Sequence, residues 1–447
     1  MRSKLVLLFG LVAFSLAAAQ TFEPKPADAC LAHFFPLRAP RQTKLMLKAG
    51  DRLAICGDSI TEQKLYSRIM EDYLTVCTPE LKVSVRQYGW SGERAPQFLA
   101  RMTNDCLRFK PTIATTCYGM NDHEYHAYEE RVGQNYRAAS MAILEAFKAN
   151  GARVVQGSAG CVGKIPFWVK QASGTVEDLN LSLCNLRNIG IEVAERENAG
   201  FADVFWPMLT AGVEAQKRYG TNYAIAGKDG VHPAWAGHTV MAYAFLKAFG
   251  LKGDIGTITV DLKRNQMKAS NGHQVMSARN GEFELESSRY PFCPCVELGQ
   301  SEKSYPVCGK DDLDSDNSIR SGMTLVPFNG DLNRFMLIAK NAKAANYRLT
   351  WGNSSKTFTG EQLQRGINLA EEFPCNPFCE AFAKVDAAVA AKQAFETTQI
   401  KKSFRSAAAK ADMESVVAQT EKEREPLVAA VKAAFVPVRH VIKIEAQ

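Results

Sequence analysis

Between residues 51 and 250 the sequence alternates between short apolar runs and longer amphipathic runs, and this alternation constrains the fold more than any other feature. The apolar runs are DRLAIC, LKVSVRQYG, TIATTCYG, ARVVQGS and FADVF. The runs between them place apolar residues three and four positions apart, which is typical of amphipathic helices. Such alternation predicts a mostly parallel sheet with helices on both faces, in which ligands bind beyond the carboxyl ends of the strands.

After residue 250 the pattern changes to short strand-like runs separated by turn residues, among them Asn271-Gly272 and Asn280-Gly281. The runs are GTITVDL, QMKASNGHQVMSA, FELESS, GMTLVPF, FMLIAKNA and YRLTWG. An Ala- and Lys-rich stretch with helical spacing follows at about 377–425, and the alternating HVIKI predicts a last strand that returns to a sheet. We therefore predict a β-rich C-terminal domain over residues 251–447 that carries a helical excursion.

The first residues, MRSKLVLLFGLVAFSLAAA, combine a basic start, an apolar run and small residues. This pattern predicts a secretory signal peptide over residues 1–19, and hence a secreted or periplasmic protein. A retained N-terminal anchor is the alternative, but the apolar run is too short for a stable membrane span. Residues 20–50 contain several prolines and no clear period, so we expect a leader draped over the next domain, with Cys30 as a candidate tether.

The formal net charge of +7 is mild for a chain of 447 residues, and it falls to +5 when the two basic residues of the signal, Arg2 and Lys4, are removed. The basic residues are scattered, apart from IKKSFR at 400–405. This excess fits either an acidic substrate or, more simply, a solvated surface. Because no basic stripe is present, we expect no nucleic-acid partner.

The chain contains twelve cysteines, and an exported chain meets an oxidising compartment. We expect disulfides rather than a metal site, because neither histidine partners nor a matched pair of Cys-x2-Cys motifs accompanies them. Cys77 and Cys106 end two predicted helices and could pair, whereas Cys56 and Cys117 lie inside strand patterns and are expected to be buried thiols. The main group of bridge-forming candidates is Cys293, Cys295, Cys308, Cys375 and Cys379.

Four short motifs follow predicted strands or precede the closing helix of the first domain: GDSIT, GWSG, GMND and DGVH. Each has a purely structural interpretation. Ser59 with Glu62 fits a helix capping box, Asn121 fits a turn, and His232 precedes a helix that starts with Pro233. No single motif decides between structure and catalysis.

Together the motifs supply the parts of an acyl-transfer site. Ser59 needs an adjacent base to act as a nucleophile, and His232 is the best candidate. Asp229, three residues upstream, can orient that histidine. The backbone amides of Ser59 and Gly92 and the side-chain amide of Asn121 can donate to a developing oxyanion. This chemistry requires no metal and no organic cofactor.

At these residues the chain resembles the SGNH (GDSL-type) hydrolase family, whose four sequence blocks occur here in the same order over roughly residues 51–250. The resemblance implies a flavodoxin-like α/β fold and an ester-hydrolysing activity. It assigns Ser59 as the nucleophile and an oxyanion donor, and it assigns Asp229 and His232 as the other triad members. Gly92 and Asn121 complete the implied oxyanion hole.

Two details of the resemblance concern single positions and the second domain. Gly92 is preferred to Gly89, because family members place the donor glycine at the end of a small x-S-G turn. The second block usually begins with asparagine, whereas this chain has Gln87 or Tyr88, a departure that concerns local geometry more than chemistry. The region near 346–370 and FPCNPFCEAFAKVDAAVAAKQAFET also resemble the C-terminal extension of some exported bacterial members.

We therefore predict an exported serine ester hydrolase, with a carbohydrate ester favoured over a lipid because no long apolar lid segment is visible. The alternative is a catalytically inactive glycan- or surface-binding protein on the same scaffold. Several other side chains could face a substrate or pack structurally: His123, His126, His238, Trp90, Tyr118, Tyr125 and Trp168.

Overall fold

A computed structural model of the chain describes residues 20–170, 174–295 and 313–447. The predicted signal peptide, residues 1–19, and Cys308 lie outside the described residues. Across the described ranges, no helix is long and apolar enough to cross a membrane.

The first sheet has five strands: β1 (Arg52–Gly57), β2 (Ser84–Gln87), β3 (Ile113–Cys117), β4 (Arg153–Gly157) and β5 (Gly200–Ala202). All of its pairings are parallel, in the order β2-β1-β3-β4-β5. Helices cover both faces: α1 (Ser59–Glu62), α2 (Tyr66–Val76), α3 (Ala95–Asp105), α4 (Glu130–Ala149), α5 (Val176–Arg196), α6 (Phe205–Tyr219) and α7 (Trp235–Ala248). The predicted α/β architecture is confirmed.

The two faces of the sheet bury separate hydrophobic cores. In β1, Leu53 and Ile55 belong to one core, and the alternate residues Ala54 and Cys56 belong to the other. This period of two is the pleat of a strand that is buried on both faces. It explains why the strand sequences are continuously apolar.

Helix α6 differs from what the sequence predicts. The pattern of FADVF favours a strand throughout, but β5 ends at Ala202 and the helix begins at Phe205. The Ser158 hydroxyl accepts hydrogen bonds from the backbone N–H groups of Val204 and Phe205. These N–H groups lie at the start of the helix, where they have no partner within the helix itself. A cap supplied from another element leaves no local signal in the sequence.

The C-terminal region contains two further sheets. Their strands are β6 (Asp254–Asp261), β7 (Gln266–Ala269), β8 (His273–Arg279), β9 (Glu282–Ser287), β10 (Arg334–Lys340), β11 (Asn346–Trp351), β12 (Ser354–Thr359), β13 (Ile367–Asn368) and β14 (Val438–Ala446). One sheet has the order β13-β10-β6-β7 and the other the order β12-β11-β14-β9-β8. The predicted last strand, β14, does return to a sheet and lies at its centre.

The helices of this region are α8 (Ile319–Leu325), α9 (Phe328–Leu332), α10 (Gly360–Arg365), α11 (Leu369–Glu372), α12 (Cys379–Lys401), α13 (Ala407–Ala411) and α14 (Met413–Ala434). The prediction of a strand at GMTLVPF is therefore wrong, because α8 and the start of α9 occupy this stretch. Ser318 caps α8 by accepting a hydrogen bond from the Ser321 N–H. Gly322 lets α8 approach the backbone of α7 closely.

The helical excursion extends further than predicted, to Ala434, and it packs against the first sheet. Helix α12 lies on α2 and along the edge strand β2. The Lys392 ammonium group donates to the Val85 carbonyl, and the Gln87 N–H donates to the Glu396 carboxylate. These side chains form hydrogen bonds with backbone groups of the edge strand β2, which would otherwise be unpaired.

The leader is held by apolar contacts rather than by Cys30, which is an exposed thiol. Phe34 is buried against Phe205 and Trp206, with ring centroids about 6 Å apart. The Arg187 guanidinium donates to the backbone carbonyl of Leu37. The expectation that Cys30 tethers the leader is therefore wrong.

Other cysteines follow the sequence analysis in part. Cys56 and Cys117 are buried thiols, as predicted. The suggested pairing of Cys77 with Cys106 is wrong, because these two thiols lie in the separate cores on the two sides of the first sheet.

Candidate active site

Ser59 lies where β1 turns into α1, at the carboxyl edge of the first sheet. Asp58 is the residue that caps the helix, and its Oδ1 accepts a hydrogen bond from the Ile60 N–H at 3.0 Å. The expected capping box between Ser59 and Glu62 is therefore absent. Because the Ser59 hydroxyl is not used to cap the helix, it is available to another partner.

That partner is His232, whose Nε2 lies 2.7 Å from Ser59 Oγ. The Nδ1 atom of the same ring lies 2.8 Å from Oδ2 of Asp229. The other Asp229 oxygen accepts hydrogen bonds from the backbone N–H groups of Val231 and His232, both at 2.9 Å. The carboxylate thus holds both the loop and the ring, and a hydrogen-bonded chain connects the three predicted residues.

The pKa values of Asp229 and Asp58 are shifted in opposite directions. Burial acts to raise the pKa of Asp229, but hydrogen bonds from the His232 and Val231 N–H groups and from the His232 ring outweigh it and lower this pKa. Burial raises the pKa of Asp58 to about 8, and the nearby charges of Asp122 and Glu93 act in the same direction. At neutral pH an ionised carboxylate therefore faces the histidine, while the carboxyl group before Ser59 is mostly protonated.

Two of the predicted oxyanion donors, Gly92 and Asn121, lie on the turns after β2 and β3, the strands on either side of β1. Gly92 has a φ of +74°, a backbone conformation that favours glycine. Asn121 donates one side-chain N–H to the Glu93 carbonyl, next to Gly92, at 3.1 Å. An amide group has two such hydrogens, so the other stays available. Within the described residues, no hydrogen bond uses the backbone N–H of Ser59 or Gly92.

The GWSG turn is fixed directly against α1. Gly89 packs so closely on the backbone of Thr61 and Glu62 that a Cβ atom would overlap it. The Gln87 side chain donates to the Thr61 carbonyl at 2.6 Å. Gln87, one of the two candidates for the position at which the second block usually has asparagine, thus ties the second motif to the first.

Three histidines other than His232 could, from the sequence, face a substrate. His123 is fully buried, and burial lowers its pKa to about 4. His238 is buried in α7, where its Nδ1 accepts from the Tyr66 N–H and its Nε2 donates to Gln63. His126 lies 3.7 Å from Glu129 just before α4. His238 is a packed helix residue, as predicted, and the buried His123 does not face a substrate.

Among the aromatic candidates, Trp168 lies closest to the hydrogen-bonded chain. Its ring centroid is 5.5 Å from that of His232, and 38% of the residue is exposed. Tyr118 is instead buried and donates to Glu93. Trp90 packs beneath cationic side chains and does not line an open wall. Of these three aromatic residues, Trp168 is the one that lies beside the hydrogen-bonded chain.

Sequence reasoning missed the role of Glu62 and Lys401 near the site. Glu62 accepts hydrogen bonds from both the backbone N–H and the hydroxyl of Ser91, and it forms an ion pair with Lys401. Because Glu62 lies three residues after Ser59, its spacing predicts a capping box rather than contacts with Ser91 and Lys401. No local signal links Lys401 to the first domain, because 339 residues separate the two charges.

A parallel sheet presents a hydrogen-bonded serine, histidine and aspartate at its carboxyl edge, which is the arrangement that serine hydrolases use. Residues 55–240 match the family described as GDSL-like Lipase/Acylhydrolase. This part of the chain is similar to that family, and the similarity supports an ester-hydrolysing enzyme.

Two relatives extend the comparison. An acetylxylan esterase from Geobacillus stearothermophilus is 25% identical over 235 residues, which cover 46% of this chain and 98% of that protein. The structure of a gut microbial diltiazem-metabolizing enzyme covers 91% of this chain and 100% of its own, with a TM-score of 0.72 and 21% identity. The second likeness concerns the fold alone, and it includes the C-terminal region.

Proposed function

We propose that the protein is an exported serine esterase that removes acyl groups from carbohydrate esters. The observation that carries this proposal is the chain of hydrogen bonds from Ser59 Oγ through the His232 ring to the Asp229 carboxylate. A serine hydroxyl becomes a useful nucleophile at neutral pH only beside such a base.

In the acylation step, Ser59 Oγ attacks the ester carbonyl carbon while His232 Nε2 takes the hydroxyl proton. Asp229 keeps Nδ1 protonated, which leaves Nε2 free to accept, and it stabilises the cationic ring that forms. The carbon–oxygen bond to the leaving alcohol then breaks, and His232 returns the proton to that alcohol. The product is an acyl group esterified to Ser59.

The tetrahedral intermediate carries a negative oxygen that needs fixed donors. The backbone N–H groups of Ser59 and Gly92 and the second side-chain hydrogen of Asn121 would supply three. Asn121 is held by its bond to the Glu93 carbonyl, which limits rotation of its amide. Deacylation repeats the sequence, with a water molecule that gives its proton to His232 and attacks the acyl carbon.

The carbohydrate preference has two supports. The relative from Geobacillus stearothermophilus is described as an acetylxylan esterase, and its similarity spans nearly all of that protein. Trp168 and Phe167 form an exposed aromatic pair beside His232, with ring centroids 5.0 Å apart in an edge-to-face arrangement. Partly exposed aromatic rings suit the apolar faces of sugar rings.

Replacement of Ser59 tests the catalytic proposal. We expect Ser59→Ala to lose ester hydrolysis and to lose labelling by a fluorophosphonate probe, while the melting temperature stays close to that of the wild type. Ser406→Ala is a matched control, because Ser406 also starts a helix but only caps it. Hydrolysis that persists in Ser59→Ala would refute the nucleophile, and an unlabelled, folded wild-type protein would favour the binding-protein alternative.

Substrate class is tested separately by release of acetate from acetylated xylooligosaccharides, beside short aryl esters and long-chain lipid esters. We expect the acetylated sugars and the short aryl esters to be cleaved. Activity confined to long-chain esters would overturn the carbohydrate proposal and leave the triad in place.

A further inference from the structure

The turn formed by GWSG is held by side chains rather than by packing at its tip. The position that a Cβ atom would take on Gly92 has no other atom within 4 Å. One residue earlier, the Ser91 N–H and hydroxyl both donate to Oε2 of Glu62, at 2.5 and 2.7 Å. The direction of the Gly92 N–H therefore depends on how firmly Glu62 is itself placed.

Glu62 is placed by the C-terminal part of the chain. The Lys401 ammonium group, at the end of α12, donates to both carboxylate oxygens of Glu62, at 2.7 and 2.8 Å. Both side chains are largely shielded from solvent, with 19% of Glu62 and 27% of Lys401 exposed. A shielded, two-point contact of this kind fixes the orientation of the carboxylate more firmly than an exposed surface pair would.

Trp90, the residue before Ser91, contacts cationic side chains of the same segment. The Trp90 ring lies 5.3 Å from the Lys401 nitrogen and 5.1 Å from the Arg405 guanidinium, and Arg101 approaches it at 5.0 Å. Arg405 is itself held by two hydrogen bonds to Asp105, at 2.8 and 2.6 Å. Two of the three cations on this ring thus come from IKKSFR, the basic run that the sequence analysis left as a solvated surface.

The apolar residues of the same run anchor it to the first sheet. Ile400 and Phe404 are buried in the core that contains Ala54 and Cys56. The Phe404 ring stacks on Phe109 with centroids 6.2 Å apart. This anchoring keeps the Lys401 ammonium group within reach of Glu62.

We infer that Lys401 is a positioning residue for the oxyanion hole, which holds Glu62 so that Ser91 presents the Gly92 N–H to the substrate. This inference rests on the proposed function. It makes the C-terminal helical segment a part of the catalytic apparatus, although the contacts described for Lys401 are with Glu62 and Trp90 rather than with Ser59 or His232. Removal of the ammonium group should leave Glu62 free to turn away, and the turn free to move with it.

The test compares two lysine-to-methionine variants of the full-length protein. Lys401→Met keeps the aliphatic stem and removes the charge. Lys384→Met, on the same helix, is the matched control, because its ammonium group contacts only the exposed Glu380 one turn away. Since a misplaced donor costs less than a missing one, we expect kcat of Lys401→Met to fall by about 10- to 100-fold with little change in KM.

Lys401→Arg should recover most of the lost kcat, because a guanidinium group can also donate to both oxygens of Glu62. The Lys384→Met control should match the wild type in kcat, KM and melting temperature. Wild-type kcat per folded molecule in Lys401→Met, or an equal loss in Lys384→Met, would overturn the inference and leave the triad proposal intact. A wild-type protein that neither hydrolyses esters nor reacts with a fluorophosphonate would remove the proposed function, and this inference with it.

Discussion

At the scale of single residues, the site depends on which hydrogen bonds are already satisfied in the fold. Asp58 caps α1, so the Ser59 hydroxyl is free for His232. Asn121 uses one amide hydrogen on Glu93 and keeps the other. These assignments separate groups that build the turns from groups that can act on a substrate, and they can be tested by substitution.

Substitution of Asn121 distinguishes catalysis from architecture. If its amide donates to the oxyanion, Asn121→Ala should lower turnover by roughly a hundred- to a thousand-fold, with a much smaller change in KM. Asn185→Ala is a suitable control, because that amide also donates to a backbone carbonyl but lies on the exposed side of α5. A lower melting temperature with unchanged turnover would remove Asn121 from the oxyanion hole.

Asp58 should make stability depend on pH. Its folded pKa of about 8 lies above its ordinary value of 3.8, because burial disfavours the charge. Its stabilising contribution is therefore fully present below about pH 4 and is lost as the pH rises towards 8, with a slope of at most about 1.4 kcal/mol per pH unit. Asp58→Asn cannot ionise and keeps an oxygen for the Ile60 N–H, so it should remove this loss.

The measurement is the melting temperature of wild type and Asp58→Asn at pH 5 and at pH 8. We expect the variant to gain on the wild type as the pH rises. Asp412→Asn serves as the control, because Asp412 caps α14 in an exposed position. A difference between Asp58→Asn and wild type that stays constant, or that shrinks towards pH 8, would show that Asp58 is ionised in the folded protein.

At the scale of elements, the site consists of strand-to-helix connections that a parallel sheet gathers at one edge. β1, β2 and β3 are neighbours in the sheet, so the turns that follow them meet. Gly89 fixes one of these turns against α1 by close packing. Gly92, three residues later, is unpacked and depends on its left-handed backbone conformation.

Alanine substitutions at Gly92 and Gly50, which have similar backbone conformations, distinguish backbone strain from a role in catalysis. Gly92 and Gly50 have φ values of +74° and +80°, and both have open space at the Cβ position. Alanine at either position should cost about 1–2 kcal/mol of stability, because left-handed backbone is unfavourable for it. If Gly92 is an oxyanion donor, only Gly92→Ala should also lower kcat, by about ten-fold or more, because it moves that donor. Equal kcat values in the two variants would count against Gly92 as an oxyanion donor.

At the scale of the whole molecule, the C-terminal region supports the first sheet through buried charged contacts. Asp386 on α12 forms a buried ion pair with Arg68 on α2. Lys392 joins Glu71 and Glu396 in a second buried cluster. Loss of one partner from such a cluster costs several kcal/mol, so the two regions should depend on each other for stability.

The oxidation state of the cysteines provides a test of whether the protein is exported. Cys293 and Cys379 lie side by side as thiols, so they can form one of the disulfides predicted within residues 293–379. We expect protein from an oxidising compartment, alkylated in denaturant without reductant, to carry fewer than twelve modified cysteines by intact mass. A reduced sample of the same preparation supplies the control. Twelve modified cysteines in the unreduced sample would contradict both the bridges and the export.

The sequence by itself determined the α/β architecture and the candidate catalytic residues. Continuous apolar strands alternate with amphipathic helices, and this pattern is local enough to be read from neighbouring residues. Ser59, Asp229 and His232 could be assigned because their motifs follow the chemistry of acyl transfer. The sequence also predicted that the last strand would return to a sheet, since HVIKI alternates with a period of two.

Only the tertiary structure decided the partners that come from distant parts of the chain. Glu62 has the spacing of a capping box, yet it binds Ser91 and Lys401 because the Asp58 side chain already caps the helix. Helix α6 begins at a cap supplied by Ser158. Such contacts depend on which surfaces meet after folding, so a local pattern carries no record of them. The basic run at 400–405 is the clearest case, because Lys401 and Arg405 look solvated in the sequence but contact Glu62, Trp90 and Asp105 in the fold.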